Sequence, residues 1–398
     1  MKATLIRLLD KCLVAPLVFI FSLPYRAAAV RPATRGDAGD GDGARHWVAI
    51  KLVGMGDAVL MLPALAALRR RSEDTLVVIT TPRCQQIFAA PGIADQVVVL
   101  GGRHPARQLL AALRALRRCT AVLDFEQHVY WSTALVLGTR LQARRFGFRS
   151  SSRMRHRAYG TIVEPGPEPR PMKEIFDDLA RAAGRQPAPG LLPLPLSPDA
   201  AASVDAWITA QGWVAGRFLA VAPGSGATVS FRRLPAERWA EILRALPPEL
   251  PIVLAGSALD HPLLAEIAQR AARPVTLQVN LNLQQLAHLF ARAWKVVATD
   301  SGPMHLAAAT GAEVIGIFGP DTPRRYAPYN PRSRAISLNL PCSPCNNCWI
   351  YREARCTNPD RFACIQTMPA ELVIEAILAG SKPARGAGAG AGGAPPLP

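Results

Sequence analysis

Residues 296–320, VVATDSGPMHLAAATGAEVIGIFGP, decide the fold. VVATDS at 296–301 opens with a short apolar run that reads as a buried strand. Pro303 suits the first turn of a helix, where its missing N–H has no partner to lose and its φ is already helical. Gly311 is a natural C-terminal stop, and EVIGIFGP at 313–320 begins a second strand. Repeated strand–helix alternation of this kind implies a parallel sheet covered by helices.

The same rhythm extends outward in both directions. Upstream run FLAVAPGSG (218–226), a helix near 236–246, PIVLAGS at 251–257, a helix over 260–272, PVTLQV and a helix over 283–293. Earlier still are HWVAIKLV from His46, a helix over 58–71 that Pro63 should kink, LVVIT at 76–80, QVVVL at 96–100, a helix over 105–118, AVLDF at 121–125 and a helix over 130–137. The Pro-rich stretch QPAPGLLPLPLSP, 186–198, interrupts the alternation and is the best boundary. Two α/β domains are therefore expected, at 46–185 and 199–380, joined by a linker at 186–198.

Composition bounds the partners. The chain has 398 residues, 49% apolar and 19% charged, which makes it mostly globular. Lys and Arg number 46 against 29 Asp and Glu, a formal charge of +17, of which +13 falls within residues 1–190. Such a balance points to nucleic acid, an anionic membrane surface or a phosphorylated substrate. Nucleic acid is disfavoured, because aromatics are only 6% and the basic segment has no stacking platform. Eight cysteines, three scattered (Cys12, Cys84, Cys119) and five between Cys342 and Cys364, do not read as a secreted disulfide framework, so a reducing compartment is expected.

Residues 1–30 contain an apolar run from Cys12 to Pro24, too short to span a bilayer, which takes about 20 residues. The segment reads as membrane-interfacial, with Lys2, Arg7, Lys11 and Arg26 at headgroups and Leu8, Leu9, Leu13, Leu17 and Phe21 entering the acyl boundary. A signal peptide ending near the alanines at 27–29 and a disordered leader are the alternatives. Residues 31–45 are a Gly/Asp-rich linker, and 381–398 form a Gly/Ala/Pro tail that cannot bury enough surface to order itself.

Three strand-to-helix corners of the second domain could bind one anionic ligand. The first, VAPGSGAT at 221–228, offers Gly224, Ser225 and Gly226 for close backbone approach to a phosphate and Thr228 as a hydroxyl donor, with Arg232 and Arg233 adding fixed cations. The second, ATDSGPMH at 298–305, puts Ser301 and Gly302 at the positive end of a helix. Asp300 or Ser301 as a plain N-cap, and His305 as an ordinary helix histidine, remain open alternatives. The third, GIFGPD at 316–321, reads as a turn. In the first domain, KLVGMGDA at 51–58 leads from strand to helix; Gly54 and Gly56 allow close approach, while Asp57 is either an N-cap or a carboxylate facing the gap between domains. With only two glycines it is not a dinucleotide fingerprint.

These motifs resemble the family 9 glycosyltransferases, the ADP-heptose:lipopolysaccharide heptosyltransferases. The resemblance rests on VGMGDAVLMLPALAALRR, APGSGATVSFRRLPAERW and TDSGPMHLAAATGAEVIGIFGPDTPRRYAPY, in the family's order, and covers roughly 46–380. It implies a glycosyltransferase-B fold, two Rossmann-like α/β domains facing a central cleft, with acceptor on the first and nucleotide-sugar on the second. It further implies an inverting transfer with Asp57 as general base, Asp300 holding sugar hydroxyls, and Ser301, Gly302 and His305 facing the diphosphate. Arg232 stands where the family usually has Lys, which keeps charge but replaces a point cation by a planar fork. By spacing, Asp260 matches a ribose-contacting acid and Leu281 an adenine-packing position.

No cofactor is expected beyond the ADP-sugar substrate, since the two domains carry no Asp-x-Asp motif and fixed cations can neutralise the departing diphosphate. The resemblance implies an anionic lipopolysaccharide or other glycan acceptor, and a peripheral place on the cytoplasmic face of the inner membrane. Arg69, Arg70, Arg71, Arg114, Arg117, Arg118, Arg140, Arg144, Arg145, Arg149, Arg153, Arg155 and Arg157 would surround that acceptor, or else form a solvated basic surface. A different nucleotide-sugar, or nonenzymatic nucleotide or glycan binding, are the competing readings. Cys342, Cys345, Cys348, Cys356 and Cys364 have spacings compatible with structural zinc, an iron–sulfur cluster, disulfides or free thiols.

Overall fold

The computed structural model describes residue 10 and residues 14–22, 45–69, 72–150, 153–166, 169–345 and 356–380, with only the backbone of Ala15, Phe19, Ala227 and Thr228. The leader before Asp10, nearly all of the 31–45 linker, Arg70, Arg71, Cys348 and the tail from Ser381 lie outside the described residues. The described residues up to Gly190 form one compact unit, and those from Leu191 onward form a second.

The first unit is built on six parallel strands: β1 His46–Ile50, β2 Thr75–Thr80, β3 Gln96–Val99, β4 Ala121–Asp124, β5 Arg144–Phe148 and β6 Thr161–Val163. Their order in the sheet is β3-β2-β1-β4-β5-β6. The second unit has β7 Leu219–Ala222, β8 Ile252–Ala255, β9 Thr276–Gln278, β10 Lys295–Thr299, β11 Val314–Ile317 and β12 Arg334–Ile336, ordered β12-β11-β10-β7-β8-β9. Counted within each unit, both sheets follow the same doubly wound order. In each, the direction of winding reverses between two central strands, β1 and β4 in one and β7 and β10 in the other. The crevice at the carboxyl ends of such a pair is where these sheets bind ligands.

The central strands β1, β4, β7 and β10 are buried along nearly their whole length, because helices cover both sheet faces. In the second unit Val221, Leu254, Val297 and Ile315 from neighbouring strands share one apolar cluster with Trp239 and Leu243 of the helix Ala236–Ala245.

Three sequence expectations need correction. Pro63 does not kink one long helix: the chain forms two helices, Met55–Leu60 and Leu62–Leu68, and Pro63 sits in the first turn of the second, where its lack of an N–H costs nothing. Strands β5 and β6 and the helix Met172–Ala182 fall in a region for which no elements were anticipated. The two arginines that open β5, RRFGF, hide its apolar pattern. Two members of the presumed basic surface are also internal. Arg145 donates to the carbonyls of Ala158, Leu141 and Ala143. Arg155 is engaged with Asp124, Thr133, Tyr159 and the carbonyl of Glu126. Both serve the fold; Arg114, Arg117, Arg118, Arg140, Arg144 and Arg153 remain exposed.

Candidate active site

In the second unit, the turn after β7 and the helix start after β10 flank the reversal point of the sheet. Thr299 at the end of β10 donates its hydroxyl to the Gly224 carbonyl at 2.8 Å, tying the two loops together. Gly224 has no room for a side chain, since a Cβ there would lie 2.6 Å from Oδ1 of Asp260. Gly226 has φ +80°, a backbone state that favours glycine. Ser225 donates to the Val229 carbonyl at 2.9 Å and accepts from Nε of Arg233 at 3.3 Å.

Arg232 and Arg233 are held by carboxylates from three other strand ends. Arg232 places Nε 2.7 Å from Asp321 and Nη1 3.4 Å from Asp300. Arg233 reaches Oδ1 of Asp260 at 3.5 Å. The other oxygen of Asp260 accepts from the backbone and hydroxyl of Ser257 at 3.0 and 2.7 Å, so this carboxylate also fixes the turn after β8. Asp321 belongs to the corner read from sequence as a simple turn. Its buried carboxylate makes it part of the same cluster as Arg232.

Ser301 is the N-cap of the helix Gly302–Ala309 by backbone position, yet its hydroxyl donates back to the Thr299 carbonyl at 3.0 Å and does not cap the helix. The first-turn amides therefore carry no side-chain cap from this residue, and the helix dipole adds partial positive charge beside Arg232. His305 lies one turn into the helix, buried, with its ring edge against Tyr326. Leu281 is half-buried immediately before Asn282, the N-cap of the helix Leu283–Arg292. Of Thr228 only the backbone is described. Two guanidinium groups, a glycine turn and a helix start form a cradle suited to an anion with several oxygens, such as a diphosphate.

Gly54, Gly56 and Asp57 belong to the first unit, at its own reversal point. Gly54 takes φ +89° and begins the helix Met55–Leu60; Asp57 sits within its first turn and does not cap it. Asp57 instead accepts from Nζ of Lys51 at 2.9 Å. Lys51 also lies 3.6 Å from Glu126, whose other oxygen accepts from the amides of Leu52 and Val53 at 2.6 and 2.8 Å. Exposure separates the three: side chains are 2% accessible for Lys51, 3% for Glu126 and 22% for Asp57. Asp57 is the member that meets solvent. Burial alone would lower the Lys51 pKa, but Asp57 and Glu126 together outweigh it and hold the ammonium above its usual range. Burial pushes Glu126 up, opposed by Lys51.

Beneath this trio, Asp124 at the end of β4 accepts from Tyr159 at 2.5 Å, from Ser132 at 2.8 Å and from the amide of Glu126 at 3.0 Å. Sequence reasoning assigned no role to Lys51, Glu126 or Asp321. The available signal was a charged residue closing an otherwise apolar strand, as in HWVAIK and AVLDFE.

Among the described residues the cysteines of the 342–364 segment do not gather into a ligand set, and Cys348 lies outside those residues. Cys342, Cys345, Cys356 and Cys364 are free thiols, and among the described residues no group of three or more His, Cys, Asp or Glu side chains could hold a metal ion. Burial, reinforced by Cys345, Cys342 and Cys356, pushes the Cys364 thiol up to about 11.

The model of glycosyltransferase family 9 (heptosyltransferase) matches residues 109–349. Lipooligosaccharide heptosyltransferase 2 of Haemophilus influenzae is 36% identical over 117 residues, covering 26% of this chain and 33% of the relative. The alignment thus spans about a third of that curated relative's length. Among solved structures, the glycosyl transferase family 9 protein of Veillonella parvula superposes with a TM-score of 0.67 at 18% identity, over 83% of this chain and 95% of the other. The E. coli ADP-heptose lps heptosyltransferase II gives 0.62 at 21% identity, over 83% and 97%. These likenesses show a shared glycosyltransferase-B fold.

Proposed function

The chain belongs to glycosyltransferase family 9, and from that premise we propose that it moves a heptose from ADP-heptose to an anionic acceptor of the lipopolysaccharide core, inverting the anomeric configuration. The acceptor hydroxyl attacks the anomeric carbon on the face opposite the diphosphate. Its proton passes to Asp57, the new carbon–oxygen bond forms, and the bond to the diphosphate oxygen breaks to release ADP. Arg232, Arg233, the amides around Ser225 and the start of the helix Gly302–Ala309 take up the charge that develops on the leaving group. In this reading Asp300 orients sugar hydroxyls, Asp260 and Leu281 lie toward the nucleoside, and no step passes through a metal.

One observation carries the proposal. Two guanidiniums and an uncapped helix start gather at the reversal point of the second sheet, each guanidinium held by carboxylates from other strand ends. The name of the E. coli structural neighbour includes ADP-heptose, which supports that donor. The reaction is assigned to the cytoplasmic face of the inner membrane, on the +13 charge of residues 1–190. Among the described residues no helix is long and apolar enough to cross a membrane.

The test is incubation of purified protein with ADP-heptose and a heptose-deficient lipopolysaccharide acceptor, reading ADP release together with a one-heptose mass gain. Absence of calorimetric affinity for every free or sugar-linked nucleoside diphosphate would sink the proposal. Donor binding with no transfer to any core acceptor would favour a different acceptor or a binding role.

A further inference from the structure

The helix Ala15–Phe21 buries one largely apolar stripe and leaves a second apolar face exposed. Val14, Val18 and Ser22, one stripe at i, i+4 and i+8, are buried against the first unit, while Leu17, Ile20 and Phe21 face out, the last two at 54% and 61% exposure. Asp10 anchors the segment by accepting from the amides of Tyr130 and Trp131, the uncapped first turn of the helix Tyr130–Val136. An apolar face held outward by its own docking contacts is not explained by the packing of this unit.

The face continues onto the folded domain. Leu17, Val18 and Phe21 form one side of a recess of about 600 Å³ whose other side comes from Arg117 and the 137–142 turn, including exposed Leu141. Gly138, in that wall, abuts Leu113: a Cβ on it would stand 3.1 Å from the Leu113 side chain. Leu113 lies one turn before Arg117 on the helix Pro105–Arg118, which also exposes Leu109 and Leu110. Leu17, Phe21 and Leu141 thus share one recess, with Leu113 behind its Gly138 wall and exposed Leu109 and Leu110 on the same helix as Leu113, and exposed apolar surface of this kind marks interaction sites. Arg117 and Arg140 stand in the recess wall, exposed Arg114 and Arg118 lie on the same helix as Leu113, and among the described residues no acidic side chain lines the recess.

We infer that this composite face docks the first unit onto an anionic bilayer, with Leu17, Phe21 and Leu141 entering the acyl boundary and Arg117 and Arg140 meeting lipid phosphates. Charge selects this occupant over a second copy of the chain, which would bring the same arginines against themselves. The inference deepens the membrane location proposed above, names the surface responsible, and does not depend on the transfer chemistry.

The test is co-sedimentation of the full chain with vesicles of phosphatidylcholine alone and of equal parts phosphatidylcholine and phosphatidylglycerol. The chain should bind the anionic vesicles and lose at least about tenfold in affinity in the pair Arg117→Glu/Arg140→Glu, since each basic residue near the surface contributes roughly fivefold. The pair Leu17→Glu/Phe21→Glu should lose binding comparably. Both should keep ADP affinity by calorimetry and an unchanged circular dichroism melt; where a pair misfolds, Leu17→Ser/Phe21→Ser and Arg117→Gln/Arg140→Gln replace it. Absence of binding to either vesicle, or retained binding in both pairs, overturns the inference. So does an oligomer of the parent chain that Leu17→Glu/Phe21→Glu converts to monomer. Vesicle binding without heptose transfer would sink only the proposed chemistry, and transfer without vesicle binding only the docking surface.

Discussion

Nζ of Lys51 stands 2.9 Å from Oδ2 of Asp57, and the same ammonium is 3.6 Å from Glu126. A buried lysine thus ties the half-exposed carboxylate assigned as base to a buried second acid. Glu126 in turn holds the amides of Leu52 and Val53, so the strand exit that presents Asp57 is fixed from a residue 74 positions away. In the proposed reaction this contact has to part before Asp57 can take the acceptor's proton.

Asp57→Asn keeps the shape of the side chain and removes its ability to take a proton. Transfer should fall by about 10²- to 10⁴-fold in kcat, the usual weight of a general base. ADP-heptose affinity should hold within about twofold by calorimetry, because one tenfold step is only about 1.4 kcal/mol.

Lys51→Met leaves Asp57 and Glu126 without their cation. Removing one partner of a buried pair costs roughly 3–5 kcal/mol, which urea unfolding will read as a lower midpoint. The double variant Lys51→Met/Glu126→Gln should recover part of that loss, since it removes the stranded buried charge.

Arg232→Ala removes one of the two guanidiniums from the proposed diphosphate cradle and should lower kcat/KM by about 10²- to 10³-fold, the typical weight of a fixed donor facing developing negative charge. Asp321→Asn should cost about tenfold, because Arg232 keeps its charge but loses the 2.7 Å contact that aims Nε. Should Asp321→Asn leave kcat, KM and ADP affinity unchanged, the carboxylate would serve folding alone.

His128 supplies a pH dependence of stability. Burial, with Arg155 and Lys51 adding repulsion, lowers its pKa from 6.5 to about 3. The unfolded chain therefore binds a proton that the folded chain refuses between those values. Stability from this group is present above pH 6.5 and declines as pH falls toward 3, by about 1.4 kcal/mol per pH unit at most. Urea midpoints taken from pH 7 to pH 5 should fall more steeply in the parent chain than in His128→Gln.

The strand–helix rhythm, the break near the Pro-rich stretch and the loops after β7 and β10 were legible because each rests on local chemistry. Apolar runs, Pro303 in a helix start and glycine turns at 224–226 carry their meaning within a few residues. The second strand pair of the first unit was not legible, since Arg144 and Arg145 open β5 and a charged pair reads as surface until three backbone carbonyls are found around one of them. Asp321 escaped notice because nothing near it in the chain distinguishes a turn aspartate from a partner of Arg232.

Sequence alone determined the class of this protein and where its candidate anion-binding loops begin, because hydrophobic period and turn residues act over distances of one element. Only the tertiary structure decided which charges cooperate. Arg232 meets Asp300 across 68 residues, Leu52 meets Glu126 across 74, and Asp10 caps a helix 120 residues later. Such partners are chosen by the order in which parallel strands lie side by side, and a crossover connection places neighbours in space that are remote in the chain. The same ordering drew Arg145 and Arg155 inward and left Leu17 and Phe21 facing out, outcomes that side-chain polarity by itself would have reversed.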